Sequence, residues 1–135
     1  MNAFIVEIMN KPGEFARLTD AIAQKGINIT SFAVATAGSA GAVVLLTNDE
    51  AGTRRAISEA DCTAREIELV TASLENKPGS LAAAVKKLAD AGINIDAAVP
   101  TGMGGGTVSV SFATDQPSKA RELLGAAEPT GIGVG

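Results

Sequence analysis

Asn10-Lys11-Pro12-Gly13-Glu14-Phe15 and, further on, Gly26-Ile27-Asn28-Ile29 return as Asn76-Lys77-Pro78-Gly79-Ser80-Leu81 and Gly92-Ile93-Asn94-Ile95, shifted by 66 positions. Ten of the twenty positions are identical between residues 10–29 and 76–95. In a chain of 135 residues this means two copies of one module, end to end. Any function must be one that two similar halves can perform together.

Outward from the first block, residues 3–9 alternate as a strand that ends at the Pro12-Gly13 turn. The spacing predicts a helix from about Gly13 to Lys25, with Phe15, Leu18 and Ile22 on one face, and Gly26 stops it. Ile27 to Ala35 reads as a second strand, with Ile27, Ile29 and Val34 among its apolar positions, and Gly38, Ser39 and Gly41 mark a turn. Ala42 to Thr47 is a strand, Asn48-Asp49 caps a helix running to about Ala60, and Ala64 to Val70 is the last strand.

The second copy follows suit. Thr71 to Glu75 is strand-like and can continue the strand before it, and a helix is predicted from Gly79 to Ala91 with Leu81, Val85 and Leu88 on one face. Ile93 to Val99 is a strand, Pro100 to Gly106 a long glycine-rich turn, and Thr107 to Ala113 a strand. In that strand Val108, Val110 and Phe112 face one way, Ser109 and Ser111 the other. Pro117 opens a helix that ends near Leu123-Leu124, and residues 131–135 read as a short final strand or a frayed end. The fold class is α+β: two tandem ferredoxin-like βαββαβ units, each an antiparallel sheet with helices on one face. Each sheet has one face without helical cover, and its edges need partners. The repeat therefore predicts an intrachain pseudodimer, which can itself form a homodimer.

Composition narrows the chemistry. Apolar residues make up 46% of the chain, yet Trp and Tyr are absent, so the core is aliphatic. A net charge of −4 without runs of like charge argues against nucleic acid and anionic membrane as partners. Ala42-Val43-Val44-Leu45-Leu46 is too short to span a bilayer, no signal-peptide pattern follows Met1, and Cys62 stands alone, which together fit a cytoplasmic protein. No histidine is present, which removes the commonest general base and the commonest zinc ligand. No nucleophile–base pair is evident, so neither a catalytic residue nor a metal or other cofactor is expected. Gly102-Met103-Gly104-Gly105-Gly106 lacks a following Lys-Ser/Thr and reads as a hairpin loop or lid rather than a phosphate loop.

The repeated block lies where strand one enters helix one. The first N–H groups of a helix lack internal partners and, with the helix dipole, favour a carboxylate. An asparagine side chain offers both an acceptor and donors. Asn10 and Asn28, or Asn76 and Asn94, could thus serve both ends of a zwitterion. An asparagine before Pro-Gly also makes an Asx turn or cap, and the residues alone leave both uses open.

Asn-Lys-Pro-Gly, an amphipathic helix and then Gly-Ile-Asn-Ile, repeated at identical spacing, resembles the ACT domain, the small regulatory module of aspartate kinase, phosphoglycerate dehydrogenase and related amino-acid enzymes. The resemblance covers nearly the whole chain as two units, 1–68 and 69–135. It implies reversible binding of a small ligand, most often an amino acid, at the interface between paired units. It maps effector contacts onto Asn10 and Asn28, and onto Asn76 and Asn94; with their neighbours, the candidate contacts are Asn10, Gly13, Glu14, Phe15, Asn28 and Ile29 in the first copy. In the second they are Asn76, Gly79, Ser80, Leu81, Asn94, Ile95 and Asp96. No catalytic domain is attached, and no histidine lies near the turn as in some relatives, so the resemblance supports a freestanding regulatory or sensor protein. A regulatory subunit docking in trans on an amino-acid biosynthetic enzyme is the alternative. The copies differ: Glu14 stands where the second has Ser80, and Thr30 where it has Asp96. A carboxylate at Glu14 competes with an anionic ligand, whereas Ser80 can donate to one, which favours a site at the second turn facing strand two of a partner unit.

Overall fold

In the computed structural model, which describes residues 1–125, the alternating run at the N-terminus is strand β1 (Asn2–Met9). Phe4 and Val6 are buried on one face of it, and Glu7 on the other face is exposed. The chain divides into two units, Asn2–Ile67 and, with Met1, the residues from Glu68 onward.

The first unit continues with α1 (Glu14–Ala23), β2 (Ile29–Ala37), β3 (Ala40–Thr47), α2 (Glu50–Glu59) and the start of β4 (Ala64–Glu75). Its strand order is β2-β3-β1-β4, with β1 and β2 both antiparallel to β3. The predicted stripe of α1 is real: Leu18 and Ile22 are fully buried, and Phe15 is half-buried against the same cluster. They pack with Phe4 and Val6 of β1, Val43 and Leu45 of β3, and Ala56 and Ile57 of α2. Both helices therefore cover one face of the sheet. Asp49 caps α2 by accepting from the Gly52 N–H at 2.9 Å. Strand two starts later than the alternation suggests: Ile27 is buried in the loop, and β2 begins at Ile29. A register shift between Ile29 and Ser31 then sets Phe32 opposite Leu45 and Val34 opposite Val43, on the helix side.

Gly41 sits where β3 passes Thr36 of β2. A Cβ there would lie 2.7 Å from the Ala35 carbonyl oxygen and 2.8 Å from Thr36 Cγ2. Because the obstacle is mostly backbone, Gly41→Ala is expected to destabilise the protein by about 1–3 kcal/mol, read by chemical denaturation.

At the far end of β1, Arg54 grips Glu66 through Nε at 2.7 Å and Nη2 at 2.9 Å, and Asn2 Nδ2 donates to the same carboxylate at 2.7 Å. These bonds, the Arg54 one first, hold the Glu66 carboxyl below the usual carboxylate range. The unfolded chain then takes up the proton first as pH falls. The stabilisation is present above that range and is lost as pH drops through it. Thermal unfolding followed from about pH 6 to about pH 3 is expected to fall less steeply for Glu66→Gln than for the wild type.

The second unit repeats β-α-β-β-α within the described residues: the rest of β4, α3 (Ser80–Asp90), β5 (Ile95–Gly104), β6 (Thr107–Thr114) and α4 (Pro117–Leu124). Its order is β4-β6-β5. Thr71–Glu75 does continue the preceding strand. The expected strand at 131–135 lies outside the described residues. Val70, Ala72, Leu88, Ile93, Phe112 and Ala120 form its core. As expected, Val110 and Phe112 face that core while Ser111 bonds Thr71 at 2.8 Å on the other side.

Two expectations need correction. Pro100–Gly106 is not a long turn: β5 runs to Gly104, and a register shift between Pro100 and Gly102 absorbs the proline that cannot donate to the ladder. Leu81 is not part of the buried stripe of α3. It is 52% exposed, and Ala84 and Leu88 are buried instead.

Candidate functional site

Where β1 meets α1, the Asn10 N–H donates to the Ser39 carbonyl at 3.0 Å, and its side-chain amide donates to the Gly38 carbonyl at 2.8 Å. The turn is thereby tied to the β2–β3 hairpin. Pro12 cannot extend the ladder, and Gly13 caps α1 at φ 90°, a left-handed conformation that other residues adopt only with strain. Pro78-Gly79 repeats the device, with Gly79 at φ 89°. Neither helix start has a side-chain cap. The first N–H of each helix donates within its own turn, Glu14 to the Lys11 carbonyl and Ser80 to the Lys77 carbonyl, both at 3.4 Å, and the N–H groups that follow lie at the positive end of the helix dipole, in a form suited to a carboxylate.

Asn28 and Asn94 stand elsewhere. The Asn28 N–H donates to the Asn48 side chain at 3.0 Å, and the Asn48 N–H to the Asn28 carbonyl at 3.1 Å. In the second unit Asp115 takes the place of Asn48, accepting from the Asn94 N–H at 3.0 Å. Each pair closes one end of its own unit's sheet, where β3 finishes in the first and β6 in the second. The Pro-Gly turns lie at the opposite end, beside the hairpins. Eight residues of β1 separate the two ends, about 25 Å at about 3.3 Å per residue. Within one unit, then, the fold does not bring Asn10 to Asn28 or Asn76 to Asn94.

The copies keep the asparagines and the Pro-Gly turn but differ in what surrounds them. Asn76 donates its backbone N–H to Gly106 at 2.8 Å, as Asn10 does to Ser39, but among the described residues the bond from the side-chain amide to the hairpin is made only by Asn10. Glu14 lies 3.7 Å from Arg17 Nε, so a carboxylate and its partner crowd the start of α1. Ser80 and Ala83 replace them in α3. Phe15 lies against Phe32, ring centroids 5.8 Å apart. The corresponding residues are Leu81 and Ala98, and the large ring has moved to Phe112, opposite Ala98 on the central strand. Leu81 is exposed for this reason: no ring stands beside it. Ile29 and Ile95 pack partly into their cores rather than standing as open surface. Asp96 accepts from the Asn94 side chain at 2.9 Å.

The bridging roles of Asn48 and Asp115 escaped the sequence reading. Thr47-Asn48 and Thr114-Asp115 at the ends of corresponding strands were the available signal. Among the described residues, no group of acidic, Cys or His side chains could hold a metal ion, and no helix is long and apolar enough to cross a membrane.

Residues 3–60 match the family model of the ACT domain. No curated protein matches the sequence. Among solved structures, a protein from Bacteroides thetaiotaomicron is similar at a TM-score of 0.75 and 20% identity, over 92% of this chain and 85% of that one. The ligand-free regulatory subunit of aspartate kinase from Thermus thermophilus is similar at 0.61 and 17% identity, over 92% and 89%. The corresponding subunit from Thermus flavus is similar at 0.61 and 18%, over 92% and 90%. At these identities the likeness establishes the fold.

Proposed function

We infer, from the premise that residues 3–60 belong to the ACT domain family, that this chain is a non-catalytic regulatory protein that binds an amino acid. The modules assigned are 1–68 and 69–135. The observation that carries the reading is the doubled Asn-Lys-Pro-Gly turn opening onto a helix start without a side-chain cap. The leading N–H groups of α3 receive the ligand carboxylate, helped by Ser80 at the first helical position. Asn76 offers its side-chain oxygen to the ammonium. The remaining contacts, of the type made by Asn28 and Ile29 or by Asn94, Ile95 and Asp96, come from another copy of the module. Lys77, the one cation of this turn, is engaged by Glu75 at 2.8 Å, so the chain reads the zwitterion by dipoles and amides.

A thermal-shift screen of the full chain against the twenty amino acids tests this. A rise in melting temperature with at least one of them at millimolar concentration is expected, and no rise with any would sink the reading.

A second reading has a specific motive. The Thermus structures of the same fold are regulatory subunits of aspartate kinase, so this chain could act in trans on an amino-acid biosynthetic enzyme. Co-purification with such an enzyme from native cells, strengthened or weakened by the bound amino acid, is the expected result. A chain that binds an amino acid and retains no enzyme is a sensor on its own.

A further inference from the structure

The two turns hold their hairpins differently. That difference stands apart from any ligand, whereas its consequence for a ligand rests on the amino-acid-binding reading. In the first unit two bonds tie turn to hairpin, one from the Asn10 backbone and one from its side chain. In the second, the backbone bond from Asn76 to Gly106 is the counterpart, with no side-chain bond from Asn76 beside it among the described residues. The tip of that hairpin is held internally by Thr107 Oγ1 on the Gly104 carbonyl at 3.0 Å. That bond shapes the tip but does not attach it to the turn. Nothing lies within 4 Å of where a Cβ would stand on Gly104, Gly105 or Gly106.

Two exposed apolar side chains flank this turn. Met103 is 77% exposed and Leu81 is 52% exposed. Met103 pairs across the hairpin with Val108, which shares the helix-side face of β6 with Val110 and Phe112, so Met103 belongs to the face on which α3 begins. In the first unit, the residue at the start of α1, Phe15, already has Phe32 against it. Leu81 has no such cover.

We propose that the hairpin of β5 and β6 is a lid for the second turn: when an amino acid occupies the start of α3, the tip closes and Met103 and Leu81 bury the ligand's side chain between them. The first hairpin is latched by Asn10 and does not take part. Methionine suits the role because an unbranched, polarizable side chain adapts to ligands of different shape.

Amide hydrogen exchange on the full chain tests this, read at the bonds that join turn to hairpin. Without ligand, the Asn76 amide is expected to be about tenfold less protected than that of Asn10, after correction for intrinsic rates. Asn10→Ala should lower protection at residue 10 to the Asn76 level. Equal protection of Asn10 and Asn76 in the wild type would overturn the latch. A mixture of the twenty amino acids at millimolar concentration should then raise protection at Asn76 and Thr107 and leave Asn10 unchanged. Met103→Ser should weaken calorimetric binding about three- to tenfold, since little else than the burial of one side chain is lost. Binding heat without any change at Asn76 and Thr107 would overturn the lid and leave amino-acid binding standing. Absence of binding heat would overturn both the lid and the binding reading, while the ligand-free comparison still decides the latch.

Discussion

Phe112→Ala is expected to destabilise the protein by about 3–5 kcal/mol, as much as any single truncation in this fold. Phe112 is the largest side chain with no exposed surface. It packs against Val70, Ala72, Leu88, Ile93 and Ala120, and its strand neighbours are Val70 and Ala98. Those neighbours are small or branched close to the backbone, so they cannot fold inward to fill the space a lost ring leaves. The first unit has its buried ring on β1 instead, at Phe4, beside Leu45 of β3. The control is Leu81→Ala. Leu81 is half in water, and its loss should change stability by less than about 0.5 kcal/mol. Chemical denaturation of both variants checks the pair, and a Phe112→Ala loss below about 1 kcal/mol would contradict the assigned core.

Asn76→Ala is expected to weaken amino-acid binding by about ten- to a hundredfold, the range for removing a hydrogen bond to a charged group. The side chain stands beside the opening of α3, and the hairpin does not claim its amide as it does that of Asn10. Asn10→Ala should show itself first in stability, by about 1 kcal/mol, because its amide holds the Gly38 carbonyl. Titration of both variants, with unfolding measured in parallel, separates the two roles. If Asn76→Ala loses stability and keeps its affinity, the second turn is a structural clamp as the first is.

The fold was legible because its signals are local and doubled. The Pro-Gly turns, the glycine helix stops and the α1 stripe of Leu18 and Ile22 each specify their own element, and the second copy checks the first. What was not legible depends on neighbours distant in sequence. Leu81 fits a helical stripe by spacing, but its burial depends on a ring that stands at Phe32 in one unit and has no equivalent at Ala98 in the other. The β2 register turns on a bulge after Ile29 that alternation cannot reveal. The strand β5 carries on through Pro100 and its glycines because β6 supplies the pairing. The candidate residues stand out in the sequence, whereas their separation within one unit does not. Eighteen positions separate Asn10 from Asn28, and a strand-turn-helix path returns the chain to the far end of the sheet, so proximity in sequence does not become proximity in space.

The most direct test is calorimetric titration of the full chain with each of the twenty amino acids, wild type beside Asn76→Ala. Saturable heat with at least one amino acid at millimolar concentration or below, lost or weakened at least about tenfold in the variant, is the predicted result. No heat from any amino acid, or an affinity unchanged by Asn76→Ala, would contradict a regulatory protein that reads amino acids at its second Asn-Lys-Pro-Gly turn.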